Sequence, residues 1–243
     1  MQNVQNPLEI QKFLRGEGSL GELKKAPYKL SISTGREGRL VGFKYNQIKS
    51  DLGLDICQEA RGLILDRENN WDVVSFPFPK FFNAAENESS DIDWDSAVAY
   101  EKLDGTCCTM YHFDGTWNVQ TLGTVDAGGP IQLDAKASAI HSEWDGRTFA
   151  ELFWEAFERV YGDVGTTPLD PDRIYVFELC TPINQVVVQH DEFKLPLIGV
   201  RDLRTLQEFP VEDDSRFGFF DRPRAFEISE FGDAVEFCNG ELE

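Results

Sequence analysis

Histidine, cysteine and long apolar runs are all scarce in this chain of 243 residues, and each scarcity closes off a class of protein. His112, His141 and His190 stand singly, without the His-x-His or His-x3-His spacing that sets two ligands on one face. Cys57, Cys107, Cys108, Cys180 and Cys238 include no Cys-x-x-Cys pair. Neither a structural zinc site nor a disulfide framework is indicated, and the thiols read as reduced core residues. No stretch approaches the run of about 20 apolar residues that a membrane span requires. Residues 1–6 lack the charged and apolar regions of a signal peptide, so a cytoplasmic protein with no membrane partner is expected.

Positive charge is scarce as well. The 23 Lys and Arg residues face 43 Asp and Glu, a formal charge of −20, which argues against the basic footprint usual in a nucleic-acid binder. The deficit is uneven. Residues 1–50 hold nine basic and four acidic side chains, a net +5, so the remainder carries −25. A basic N-terminal segment that can hold a polynucleotide, on an acidic body that keeps the protein soluble, fits this division; a generally solvated acidic surface explains the body but not the bias.

Hydrophobic residues make up 41% of the chain and aromatics 12%, enough for a packed core. With no linker, repeat or low-complexity tract, one domain over 1–243 is expected, its first 50 or so residues forming the basic segment. Asn6-Pro7-Leu8-Glu9 reads as an N-cap, a proline at the first helical position and an acidic first turn, with the helix running to Leu14 and stopped by Gly16. Strands are expected between Tyr28 and Tyr45. Gly62–Asp66 and Trp71–Phe76, and then Cys107–Phe113 and Trp117–Leu122, read as hairpins, so the sheets should be antiparallel. Thr148-Phe149-Ala150-Glu151 is a capping box, followed by apolar residues at helical spacing to Val160 and by Gly162. Arg173–Cys180, Gln185–Gln189 and Leu195–Val200 read as three more strands. The fold class expected is α+β, antiparallel sheets with flanking helices.

Lys102-Leu103-Asp104-Gly105 follows the apolar run Ala97–Tyr100 and offers a lysine nucleophile. A primary amine that attacks phosphorus must first be neutral, which partial burial and a nearby cation favour. The glycine allows a tight turn and close approach of phosphate to backbone, and the aspartate can orient a hydrated metal or the amine. Alone, the tetrapeptide is also what a surface hairpin turn would carry. Upstream stand Ala60-Arg61-Gly62-Leu63-Ile64-Leu65-Asp66 and Lys80-Phe81-Phe82-Asn83, and downstream Phe177-Glu178-Leu179-Cys180-Thr181-Pro182-Ile183-Asn184. Four motifs in this order are specific, and from about Phe43 to about Arg204 the chain resembles the adenylyltransferase domain of the phage-type RNA ligase 1 family, which includes the ligase module of fungal tRNA ligases.

The resemblance implies the nucleotidyltransferase fold of ATP-dependent ligases, ATP and magnesium as cofactors, and RNA with 5′-phosphate and 3′-hydroxyl ends as partner. It implies Lys102 as nucleophile and Glu178, a carboxylate within an apolar strand, as the ribose contact. Arg61 and Lys80 would face phosphates. Phe81 or Phe82 would pack near the nucleotide, with Phe82 carried forward; Asp104 and Gly105 complete the nucleophile segment. Glu101 would touch the adenine edge or point outward, and Asn184 would serve a turn. Two departures stand out. Thr121-Leu122-Gly123-Thr124 has leucine where the family carries a basic residue, and the chain stops at Glu243 with no lysine after Lys194, where the family has a Glu-Gly-aromatic-Val segment and a Lys-x-Lys pair. Glu243 is then expected as the first residue of that segment, in a domain incomplete at its C-terminus. The alternatives are a catalytically impaired relative that binds nucleotide or RNA ends, and another lysine-dependent nucleotidyltransferase such as a DNA ligase or capping enzyme.

Overall fold

A computed structural model describes residues 7–83, 86, 91–133, 135–185, 187–228 and 232–233. Two antiparallel sheets form its body. The first, in the order β1-β2-β3-β4, uses Ser31–Gly35 (β1), Leu40–Lys44 (β2), Arg61–Asp66 (β3) and Asp72–Ser75 (β4). Short helices Glu9–Arg15 (α1), Leu20–Leu23 (α2) and Asp55–Gln58 (α3) accompany it. Ile10, Leu14 and Leu23 join Val41, Phe43, Leu63 and Leu65 in one apolar cluster. The first helix begins later than its sequence suggests: Leu8 takes the cap position, where its N–H donates to the Gln11 side chain at 3.0 Å, and Asn6 lies outside the described residues. Gly16 closes the helix as expected, donating to the Lys12 carbonyl.

Next come Val98–Tyr100 (β5), Thr106–Phe113 (β6), Thr116–Thr121 (β7), Arg173–Leu179 (β8), Leu197–Asp202 (β9), Glu208–Phe209 (β10) and Ala225–Glu227 (β11). The second sheet runs β10-β9-β8-β6-β7, while β5 pairs only with β11. The β6–β7 turn has Asp114 and Gly115 at φ 48° and 78°, the left-handed pair that two-residue hairpins require. Helices Ala135–His141 (α4), Phe149–Tyr161 (α5) and Asp214–Phe217 (α6) complete the chain. The capping box on α5 forms: the Thr148 hydroxyl accepts from the Glu151 N–H at 3.2 Å, and the Glu151 carboxylate accepts from the Thr148 N–H at 2.8 Å. Leu152, Phe153, Ala156 and Phe157 of α5 are buried against the second sheet, with the Phe153 and Phe177 rings 5.9 Å apart. The stripe is core, as its spacing implies.

The two sheets meet through Leu40, Ile64 and Val74 of the first, Tyr111 of the second and Val125 just after β7, where the Tyr111 hydroxyl donates to the Val125 carbonyl at 2.7 Å. One expected strand, Gln185–Gln189, does not form over its described residues. Val186 is outside them, and the N–H groups of Val187 and Val188 go to a carboxylate, which takes the donors a ladder would use. Among the described residues, no helix is long and apolar enough to cross a membrane.

Because the Thr148 hydroxyl satisfies an otherwise open helix donor, Thr148→Ala should destabilise the protein by about 1 kcal/mol. Urea unfolding should show a lower midpoint at unchanged slope. An unmoved midpoint would mean that solvent caps the helix equally well.

Candidate functional site

The segment joining β5 to β6 carries Lys102 and is fixed at both ends. Before it, the Glu101 N–H donates to the Arg224 carbonyl at 2.8 Å, continuing the β5–β11 pairing. After it, Gly105 lies directly on β8. A Cβ there would stand 2.4 Å from the Leu179 carbonyl oxygen, so only glycine fits against this strand backbone. Between these anchors Lys102 and Glu101 are exposed and line a cavity of about 770 Å³.

Asp104 is committed elsewhere than expected. Its Oδ2 accepts from the Val187 and Val188 N–H groups at 2.7 Å each, and its carbonyl bonds His190 Nε2 at 2.6 Å. The Val188 and Val187 amides hold its carboxyl below the ordinary range. Asp104 therefore ties the Lys102 segment to the loop after β8, and it does not line the cavity. Asn184 adds a second tie, with Nδ2 donating to the Thr106 hydroxyl at 3.0 Å and to the Leu179 carbonyl at 2.7 Å. Its turn role is thus also a bracing of β6.

Glu178 stands opposite Cys107 in the β6–β8 ladder and points into the cavity, while its neighbours Phe177 and Leu179 turn into the core beneath. Burial lifts its carboxyl to about 7, against the opposing pull of the Gly105 N–H and the Lys102 charge. Arg61 opens β3 on the opposite wall. Among the described residues its buried Nη1 has no hydrogen-bond partner, and its guanidinium lies over the Phe81 ring at 4.8 Å. A buried guanidinium donor without an acceptor is costly, and an anion in the cavity would satisfy it.

The Lys80-Phe81-Phe82-Asn83 segment divides. Phe81 lines the cavity; Phe82 does not, and lies instead beside the Lys80 ammonium, 4.4 Å from its ring centroid. Lys80 also folds away from the cavity, bonding the Phe81 carbonyl and pairing with Glu86 at 3.8 Å. The preceding stretch is laid across β9, because Gly199 leaves room for the Phe78 ring and Arg201 Nε donates to the Pro77 carbonyl at 3.0 Å. Leu122 occupies the cavity wall, and Glu243 lies outside the described residues. Sequence reasoning missed Phe78, Glu208, Phe209 and Pro223 on the walls. No motif marks them. Among the described residues, no group of three or more His, Cys, Asp or Glu side chains converges as a metal-binding set.

A family model described as RNA ligase matches residues 59–237. The chain is 32% identical over 230 residues to an RNA ligase of Rhodothermus phage RM378, a match covering 83% of this chain and 50% of that protein. It is 24% identical over 220 residues to a putative bifunctional polynucleotide kinase/RNA ligase of Autographa californica nuclear polyhedrosis virus, covering 86% of this chain and 30% of the relative. Among solved structures, an archaeal ATP-dependent RNA ligase overlaps 94% of this chain and 56% of its own at 16% identity, with a TM-score of 0.46. The chain spans half or less of the length of these curated relatives.

Two outcomes follow from the geometry. Asp104→Ala should release the loop after β8, raising amide hydrogen exchange at Val187 and Val188, whereas Asp104→Asn keeps an acceptor and should retain part of the protection. Unchanged exchange in the alanine variant would show that the loop is held by something else. The raised Glu178 value means that the folded state holds a proton the unfolded chain releases near its ordinary 4.5. Its contribution to stability is present below that value and is lost as pH rises through about 7. Glu178→Gln should therefore unfold at a higher urea concentration than the parent at pH 8, with the gap closing towards pH 4.5. A gap independent of pH would remove Glu178 as the titrating group.

Proposed function

This chain belongs to the RNA ligase family whose model matches residues 59–237, and from that premise we propose that it is the nucleotidyltransferase domain of an ATP-dependent RNA ligase. One observation carries the reading: a single cavity brings together the Lys102 amine, the half-buried Glu178 carboxyl and the Arg61 guanidinium, whose Nη1 has no partner among the described residues. These are the groups a transfer through phosphorus needs, a nucleophile, a sugar anchor and a cation for developing charge.

In this mechanism the Lys102 nitrogen attacks the α-phosphorus of ATP, forming a P–N bond as the bond to pyrophosphate breaks. The ammonium proton passes to solvent before the attack, since Lys102 is exposed. Glu178 hydrogen-bonds the ribose and so aligns the α-phosphorus with Lys102, while Arg61 neutralises phosphate charge. AMP then passes to an RNA 5′-phosphate, releasing Lys102, and a 3′-hydroxyl attacks that activated phosphate to expel AMP. Magnesium supplies charge neutralisation on the triphosphate. The basic charge of the first 50 residues, among which Lys24, Lys25 and Lys49 are exposed, would attract the polynucleotide.

Incubation with ATP and magnesium, followed by peptide mapping, should place a single AMP on Lys102. Lys102→Ala should abolish it, and Glu178→Ala should lower its rate by at least about tenfold through lost alignment. AMP on another residue, or undiminished labelling of the Lys102→Ala protein, would sink the reading.

A further inference from the structure

We propose that Lys44 and Arg61 form a two-cation subsite for a nucleotide phosphate at the rim of the cavity. The inference rests on the ligase reading, but its residue comes from the fold. Lys44 ends β2 and is the cross-strand partner of Arg61, the first residue of β3, with the ladder shifting register between Phe43 and Lys44. Directly paired side chains share a face at roughly 5 Å, and such irregularities re-aim the side chain beside them.

The neighbouring turn confirms where the ammonium goes. Lys44 Nζ lies 4.0 Å from the place a Cβ would take on Gly123, so it overhangs the 121–124 turn. Leu122 of that turn lines the cavity and approaches Gly62, where a Cβ would stand 3.3 Å from its Cδ2. Arg61, Leu122 and Lys44 therefore meet at one corner. Lys44 is exposed, and among the described residues no hydrogen bond or ion pair engages its ammonium. Arg61 Nη1 is unpaired as well. Like charges placed opposite each other on adjacent strands repel; an anion held between them turns that repulsion into attraction. A phosphate fits because its several oxygens can accept from a guanidinium and an ammonium together.

That phosphate is either in the triphosphate tail of ATP or at the 5′ end of RNA. Equilibrium binding of ATP, and of one oligoribonucleotide bearing a 5′-phosphate or a 5′-hydroxyl, should be compared for the parent, Lys44→Gln and Lys44→Arg. The glutamine variant should weaken ATP, or the 5′-phosphorylated but not the 5′-hydroxyl RNA, by about tenfold, the scale of one lost charged hydrogen bond. Lys44→Arg should restore most of the loss. The weakened ligand identifies the phosphate. Equal binding by parent and Lys44→Gln, or equal weakening of both RNA forms with ATP unaffected, overturns the subsite, as does failure of the parent to bind either ligand. A parent that forms no lysyl-AMP at Lys102, yet loses phosphate binding on Lys44→Gln, would overturn the ligase reading and leave the subsite standing. Thermal unfolding of each variant separates these outcomes from misfolding.

Discussion

The contact on which the site depends is one of backbone against backbone, where the chain at Gly105 rests on Leu179 of β8. It brings the Lys102 segment onto the strand that carries Glu178, so the two backbone positions are set by the β6–β8 ladder. The Gly105 N–H reaches the Glu178 carboxyl from this position. Any side chain at 105 would have to push apart the register Thr106↔Leu179 and Cys107↔Glu178. The Asp104 and Asn184 bonds work in the same direction, one tying the segment to the loop after β8 and the other bracing β6 to the end of β8. Such support is what a transfer reaction needs, since misplacement of a nucleophile by about 1 Å can cost a hundredfold in rate.

The same site is built at the expense of stability. Glu178 is buried enough to hold its proton to about 7, and Arg61 leaves a donor unsatisfied. A domain selected only for stability would place apolar side chains at both positions, as it does at their neighbours Phe177 and Leu63. The tension is confined to the cavity. Below it, the Phe153, Phe157, Phe177 and Phe220 rings pack edge to face in the core of the second sheet, a rigid floor for a polar site.

Local chemistry explains what the sequence discloses. Hairpins and α5 were readable because turn residues, capping residues and periodicity each agree with the tertiary structure. Lys102 and Glu178 stand out in the sequence because a lysine beside a glycine turn and a carboxylate in an apolar strand are both locally anomalous, and both line the cavity. The Gln185–Gln189 reading failed because a run of valines looks like a strand wherever its N–H groups go, and here two of them go to Asp104, some 80 residues away. The bonds of Asp104 to Val187 and Val188 had no local signal for the same reason: these partners are distant. Phe81 and Phe82 are adjacent and chemically identical, so only the fold could say which one faces the cavity. Lys44 had no local signal at all, since its significance comes from the β2–β3 register.

Charge is sorted across the cavity in a way composition conceals. The wall from the first sheet brings Arg61, with Lys44 at its rim, whereas Glu178 and Glu208 come from the second sheet. Glu208 is partly engaged by Arg201 at 3.1 Å, whereas the Glu178 carboxyl feels the Lys102 charge. A nucleotide entering such a field experiences opposite forces at its two ends: its phosphates are drawn to the first sheet, and its hydroxyl-bearing sugar finds acceptors on the second. Lys102 sits between the two walls, where the α-phosphorus of a nucleotide so oriented would come to rest. The net charge of −20 therefore poses no obstacle to phosphate chemistry, because what acts on the ligand is the local gradient across one cavity, and beyond a Debye length of about 8 Å the acidic body is screened by salt.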